Sequence, residues 1–81
     1  MVNNVGDEWR KEASAQLGID NRIVKKMFDA GVKRVGDVLD LIDGKFKGTT
    51  LSKLKITKVQ LSKMRQKIGL YLEDKGAEIP W

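Results

Sequence analysis

The chemistry open to this chain is that of lysine and arginine. Sixteen of its 81 residues are cationic, eleven are acidic, and neither histidine nor cysteine occurs. Without imidazole, the usual proton shuttle near neutral pH and the commonest transition-metal ligand are both missing. Without cysteine there is no thiolate to attack a substrate or hold a metal, and no disulfide to staple the fold. The carboxylates (Asp7, Glu8, Glu12, Asp20, Asp29, Asp37, Asp40 and Asp43 in the first half) are scattered, with no repeated metal-loop spacing. The expectation is a binding domain and not an enzyme. It has no catalytic residue, no metal, no cofactor and no small-molecule substrate.

The cations are unevenly placed. From Asp43 to Lys67 there are eight, at Lys45, Lys47, Lys53, Lys55, Lys58, Lys63, Arg65 and Lys67, against one carboxylate, Asp43. That stretch carries +7, so the remainder of a +5 chain carries −2. A field concentrated on one region steers anionic polymers. The bland alternative is that lysines keep a small domain in solution.

Eighty-one residues, 41% hydrophobic and 33% charged, predict a single globular domain spanning 1–81 with one modest core. Residues 1–6 are expected to fray and 76–81 to form an extended tail. The N-terminal stretch MVNNVGDEWRKE holds no apolar core of signal-peptide length. No run approaches the roughly 18 apolar residues of a spanning helix. A cytoplasmic or nucleoid-associated protein is expected, neither secreted nor membrane-bound.

The elements that must position the cations read as helices. A first helix begins near Asp7, is anchored by Trp9 and Leu17, and stops at Gly18. Asp20 caps a second helix over 21–30, with Ile23, Val24 and Met27 inward. Arg22, Lys25 and Lys26 fall on its opposite side, an arrangement that also suits a merely solvated face. A short third helix opens at Val35 and ends near Ile42. Residues 43–48 form a loop with Phe46 tucked inward. Thr49 or Thr50 caps one helical turn holding Leu51 and Leu54. Thr57 and Gln60 form a capping box for the last helix. Its apolar stripe is Leu61, Met64, Ile68, Tyr71 and Leu72, and it fades at Lys75–Gly76. Lys53, Lys55 and Lys58 lie around a turn and a helix start, where the helix dipole disfavours cations. An anionic partner would offset that cost.

Three stretches carry a likeness: LGIDNR from Leu17 to Arg22, GVKRVGDVL from Gly31 to Leu39, and LSKLKITKVQLSKM from Leu51 to Met64. Over about residues 17–73 the chain resembles the C-terminal domain of the bacterial RNA polymerase alpha subunit. The resemblance implies an all-α, SAM-like bundle of about five short helices with two helix-hairpin-helix-like elements. It also implies contact with a DNA minor groove and backbone, made by the starts of the second and last helices. On that basis Arg22 falls on the family's principal DNA-contacting arginine, with Lys25 and Lys26 one turn along. Thr57, Val59, Gln60 and Lys63 fall on the second contact segment. The chain departs from the family there: Thr57 replaces a glycine, Val59 a lysine and Gln60 a serine, while Lys63 replaces an acid. Asp20 stands where the family has a Ser or Thr cap, and puts negative charge where a phosphate would dock.

The expected interface therefore comprises Arg22, Lys25, Lys26, Lys53, Lys55, Thr57, Lys58, Val59, Gln60 and Lys63. DNA is the expected partner, held with weak sequence preference through phosphate contacts, in a setting related to transcription. Two other classes stay open. One is a protein-interaction module using Val59, Leu70 and Trp81, which lie off the apolar stripe. The other is an RNA-binding accessory domain, although no exposed aromatic pair for stacking single-stranded bases is evident.

Overall fold

Helix periodicity and helix stops set the architecture. The structure, a computed structural model, describes residues 4–81, with side chains from Glu8 onward. Two 3-10 segments, Asn4–Lys11 and Ser14–Leu17, precede three α-helices. These are α1 (Asn21–Asp29), α2 (Val35–Ile42) and α3 (Lys58–Asp74). No β-strand occurs among the described residues, and the chain is all-α. No helix is long and apolar enough to cross a membrane.

The core draws on every segment. Leu17 and Ile19 enter from the N-terminal side, Ile23 and Met27 from α1, and Val32 from the following loop. Val35, Val38, Leu39 and Leu41 come from α2, and Met64, Ile68 and Leu72 from α3. The α3 residues recur at intervals of four, so they form one row along the helix. Each buried side chain of this size contributes roughly 1.5–3 kcal/mol. Phe46 tucks in as its loop position predicted, with its ring close to Gly31 and Gly48.

The first helix differs from expectation. In place of one α-helix over about 7–17, the chain forms two 3-10 segments broken at Glu12–Ala13. The cause is pairing with the start of α2. The Val35 N–H donates to the Glu12 carbonyl at 2.9 Å, and the Ser14 N–H to the Lys33 carbonyl at 3.0 Å. A carbonyl bound across the fold is not free for a continuing α-helical ladder. The 3-10 structure begins by Asn4, within the segment expected to fray, and residues 1–3 lie outside the described ones.

Arg10 locks this segment onto α2. Its guanidinium reaches the Asp40 carboxylate at 3.2 Å and the Gly36 carbonyl at 3.4 Å. Gly36 gives this side chain room, because a Cβ there would meet Arg10 side-chain atoms at 3.1–3.3 Å and press them a few tenths of an ångström aside. At the other end of the chain, the tail after Gly76 folds back along α3. Ile79 sits over Gly69, and Trp81 lies against Arg65 with 5.8 Å between guanidinium carbon and ring centroid.

Candidate nucleic-acid interface

Two helix starts meet on one side of the molecule. At the start of α1, one Asp20 carboxylate oxygen accepts the Arg22 N–H at 2.8 Å. This is the cap the sequence predicts. At the start of α3, Thr57 and Gln60 form the predicted capping box. The Thr57 hydroxyl accepts the Gln60 N–H at 3.1 Å, and Gln60 Oε1 accepts the Thr57 N–H at 3.0 Å. Of the first-turn amides, those of Lys58 and Val59 have no intrahelical acceptor. Thr57 cannot lend its amide to a phosphate without giving up its bond to Gln60.

Between the two starts lies a groove of about 260 Å³. Ile19, Ile23 and Met64 are buried and make its apolar base. Asp20 and Gln60 line it with polar groups, and the exposed Lys63 and Lys67 add cationic ones. Lys63 and Lys67 are one turn apart on α3 and so project to the same side. Of the expected interface residues, Gln60 and Lys63 enter this groove. Lys67 joins them, a residue placed beside the apolar stripe but not in the expected interface.

The remaining expected residues lie outside the groove lining. Arg22, Lys25 and Lys26 are exposed on α1, and Arg22 and Lys26 stand one turn apart. Lys53, Lys55 and Lys58 are exposed around the turn before α3. The Thr50 hydroxyl caps that turn by accepting the Lys53 N–H at 3.1 Å. Lys55 closes it with φ of 58°, the left-handed region. Among the described residues, Lys45 is the one cation of the basic stretch in an ion pair, with Asp43 at 3.0 Å. Lys47, Lys53, Lys55, Lys58, Lys63, Arg65 and Lys67 meet no carboxylate there.

Val59 and Leu70 are 65% and 59% exposed, on the same side of α3 as Lys63. Trp81 is 46% exposed and rests on Arg65, so it is both a hook and a surface. Phe28, 53% exposed, is an apolar surface residue the sequence pattern did not single out. Its signal was available: it lies about 100° beyond Met27 around α1, off the Ile23–Met27 row. Lys33 stands over its ring at 5.1 Å.

A second polar cluster lies at the far end of α3 and was not foreseen. The Tyr71 hydroxyl donates to the Glu12 carboxylate, and Lys75 Nζ lies 3.3 Å from the same oxygen. The Tyr71 hydrogen bond, then that from Lys75, holds the Glu12 carboxyl below its ordinary value. Desolvation, then the bond to Glu12, pushes the Tyr71 hydroxyl up to about 12. This cluster ties the N-terminal segment to α3. Single-sequence spacing gives no sign of a contact 59 residues apart.

No protein-family model, no curated protein and no solved structure matches this chain.

Proposed function

We propose that this chain is a DNA-binding domain that holds a duplex through the starts of α1 and α3. In this reading it is a SAM-like domain with two helix-hairpin-helix-like elements, related in design to the C-terminal domain of the RNA polymerase alpha subunit. Residues 14–29 form the first element. The turn at 51–55 with the start of α3 forms the second. The observation that carries the reading is the groove joining Asp20 and Ile23 to Gln60, Lys63 and Lys67, beside a stretch where seven cations meet no carboxylate among the described residues.

Arg22, Lys25, Lys26, Lys53, Lys55, Lys58 and Lys63 supply phosphate contacts, which dominate affinity without reading sequence. The Lys58 and Val59 amides add donors at the α3 start, where the helix dipole favours an anion. The internally bound Thr57 and Gln60 fix the shape of that start. Arg22 lies at the entrance of α1, and its long side chain reaches toward the minor groove.

A titration of labelled duplex DNA at several salt concentrations tests the reading. Log affinity is expected to fall with log salt by about 0.9 per neutralised phosphate, so four simultaneous contacts give a slope of roughly −3 to −4 and all seven about −6. Arg22→Ala is expected to weaken binding more than Lys75→Ala. A flat salt response sinks the proposal. Exposed Val59 and Leu70 favour a second reading, a protein partner on the α3 face. Binding that is lost in Val59→Ser with Leu70→Ser, yet is insensitive to salt, would select it.

A further inference from the structure

We infer that the groove between α1 and α3 receives one unpaired nucleobase, guanine in particular, from a DNA whose backbone lies on the lysines beside it. The inference rests on the DNA-binding reading and adds a ligand for its central cavity.

The size of the groove sets the class of ligand. About 260 Å³ falls below the roughly 300–1,000 Å³ of pockets that enclose drug-sized molecules. A single ring system fits that scale, and a duplex surface does not enter it. The base of the groove is apolar, formed by the buried Ile19, Ile23 and Met64. One face of a flat aromatic ring can rest on such a base.

The polar groups set the identity. One Asp20 oxygen is held by the Arg22 N–H. The other carboxylate oxygen has no hydrogen bond among the described residues, so Asp20 presents a fixed acceptor to the groove. Gln60 is oriented in the same way. Its Oε1 faces a backbone donor, Thr57 N–H, which leaves its Nε2 as the free donor. Both side chains are already ordered by their capping roles, so little rotamer entropy remains to be lost on binding. The pairing edge of guanine carries two adjacent N–H donors for a carboxylate, next to a carbonyl for an amide donor. Lys63 and Lys67 at the rim meet the flanking phosphates.

This also gives Asp20 a place in an otherwise cationic surface. A carboxylate there repels phosphate, yet it accepts from a base that carries no charge. Aspartate caps a helix about as well as asparagine does, and the dipole of α1 favours its charge at that end, so the carboxylate serves the helix as well as the base.

The test compares hairpin DNAs that differ only by one bulged nucleotide, titrated at moderate salt. A bulged guanine is expected to bind roughly tenfold tighter than the fully paired hairpin, the worth of one charge-assisted hydrogen bond. Bulged adenine, cytosine and thymine should fall between. Asp20→Asn keeps the cap and should erase the guanine preference. Equal binding of paired and bulged DNA by the native chain overturns this inference and leaves the DNA-binding reading intact. A guanine preference that survives in Asp20→Asn overturns the assignment of Asp20. No binding to any of the hairpins overturns both readings.

Discussion

At the C-terminal end of α3, Lys75 is held 3.3 Å from Glu12, and Tyr71 donates to the same carboxylate. From the N-terminal end to the middle of the helix, Lys58, Lys63 and Lys67 meet no carboxylate among the described residues. One end uses its polar groups to bind the chain to itself, joining Glu12 to α3 across the core. The other leaves its cations facing outward, and Lys58 stands in the first turn of α3, where the dipole makes a cation mildly unfavourable. Charges that satisfy the fold are found in pairs. Charges that the fold does not need, and that cost a little, point to a use outside it. The basic end is thus the candidate interface and the Tyr71 end is structural.

Charge removal should separate the two ends. Lys63→Ala with Lys67→Ala is expected to weaken duplex DNA binding about tenfold or more at low salt. Its unfolding free energy should stay within about 0.5 kcal/mol of the native chain, as for exposed sites outside structural features. Tyr71→Phe should do the reverse. It removes a half-buried hydrogen bond, lowering stability by about 1 kcal/mol, with DNA affinity unchanged. Denaturant melts and DNA titrations on both variants check this, and a swapped pattern would break the comparison.

The fold was legible where local chemistry decides it. Asp20, the Thr57–Gln60 box, Gly31 and Gly76 mark helix ends through bonds within a few residues, and each lies where its residue type predicts. The row Met64, Ile68 and Leu72 is legible for the same reason. The break at Glu12–Ala13 was not, because its cause is pairing with residues 33–35. Nor was the packing of Arg10 on Gly36, which joins positions 26 residues apart. Gln60 and Lys63, two of the ten residues expected at an interface, line the groove between α1 and α3. Lys67, which joins them there, was not legible in the sequence, since it needed the position of α1 against α3.

The Tyr71 end should also report on pH. Glu12 has a folded pKa held below its ordinary value. Its contribution is complete above that ordinary value, near 4.5, and is lost as pH falls through the lower folded one. Tyr71 behaves oppositely. Its folded pKa is raised from 10.0 to about 12, so its contribution is complete below pH 10.0 and is lost as pH rises toward 12. Tyr71 is the one tyrosine in the chain, so tyrosinate absorbance follows it directly. Ionisation near pH 12 in the native protein is expected, moving only part of the way toward 10 in Glu12→Ala because desolvation of the hydroxyl remains. A midpoint unchanged by Glu12→Ala would mean the hydroxyl is not held by Glu12. DNA binding at the basic end, measured between pH 6 and 8, should not respond to this cluster.

The smallest effect concerns the turn before α3. Three helices and the turn at 51–55 end on a left-handed residue with the same six-to-one bond, such as Val32 N–H to Met27 O at 2.8 Å and Ile56 N–H to Leu51 O at 3.1 Å. Three of the left-handed residues are Gly31, Gly44 and Gly76, and the fourth is Lys55. A side chain there costs roughly 1–2 kcal/mol relative to the right-handed form, and glycine avoids most of it. Lys55→Gly should therefore raise the unfolding free energy by about 0.5–1 kcal/mol, the gain being reduced by the freedom of glycine in the unfolded chain. The same change removes one cation from the proposed interface, so the salt slope of DNA binding should fall by about 0.9. Higher stability together with a shallower slope would make Lys55 a strained residue kept for its charge. Higher stability with an unchanged slope would remove Lys55 from the interface and leave its neighbours Lys53 and Lys58 to be tested in the same way.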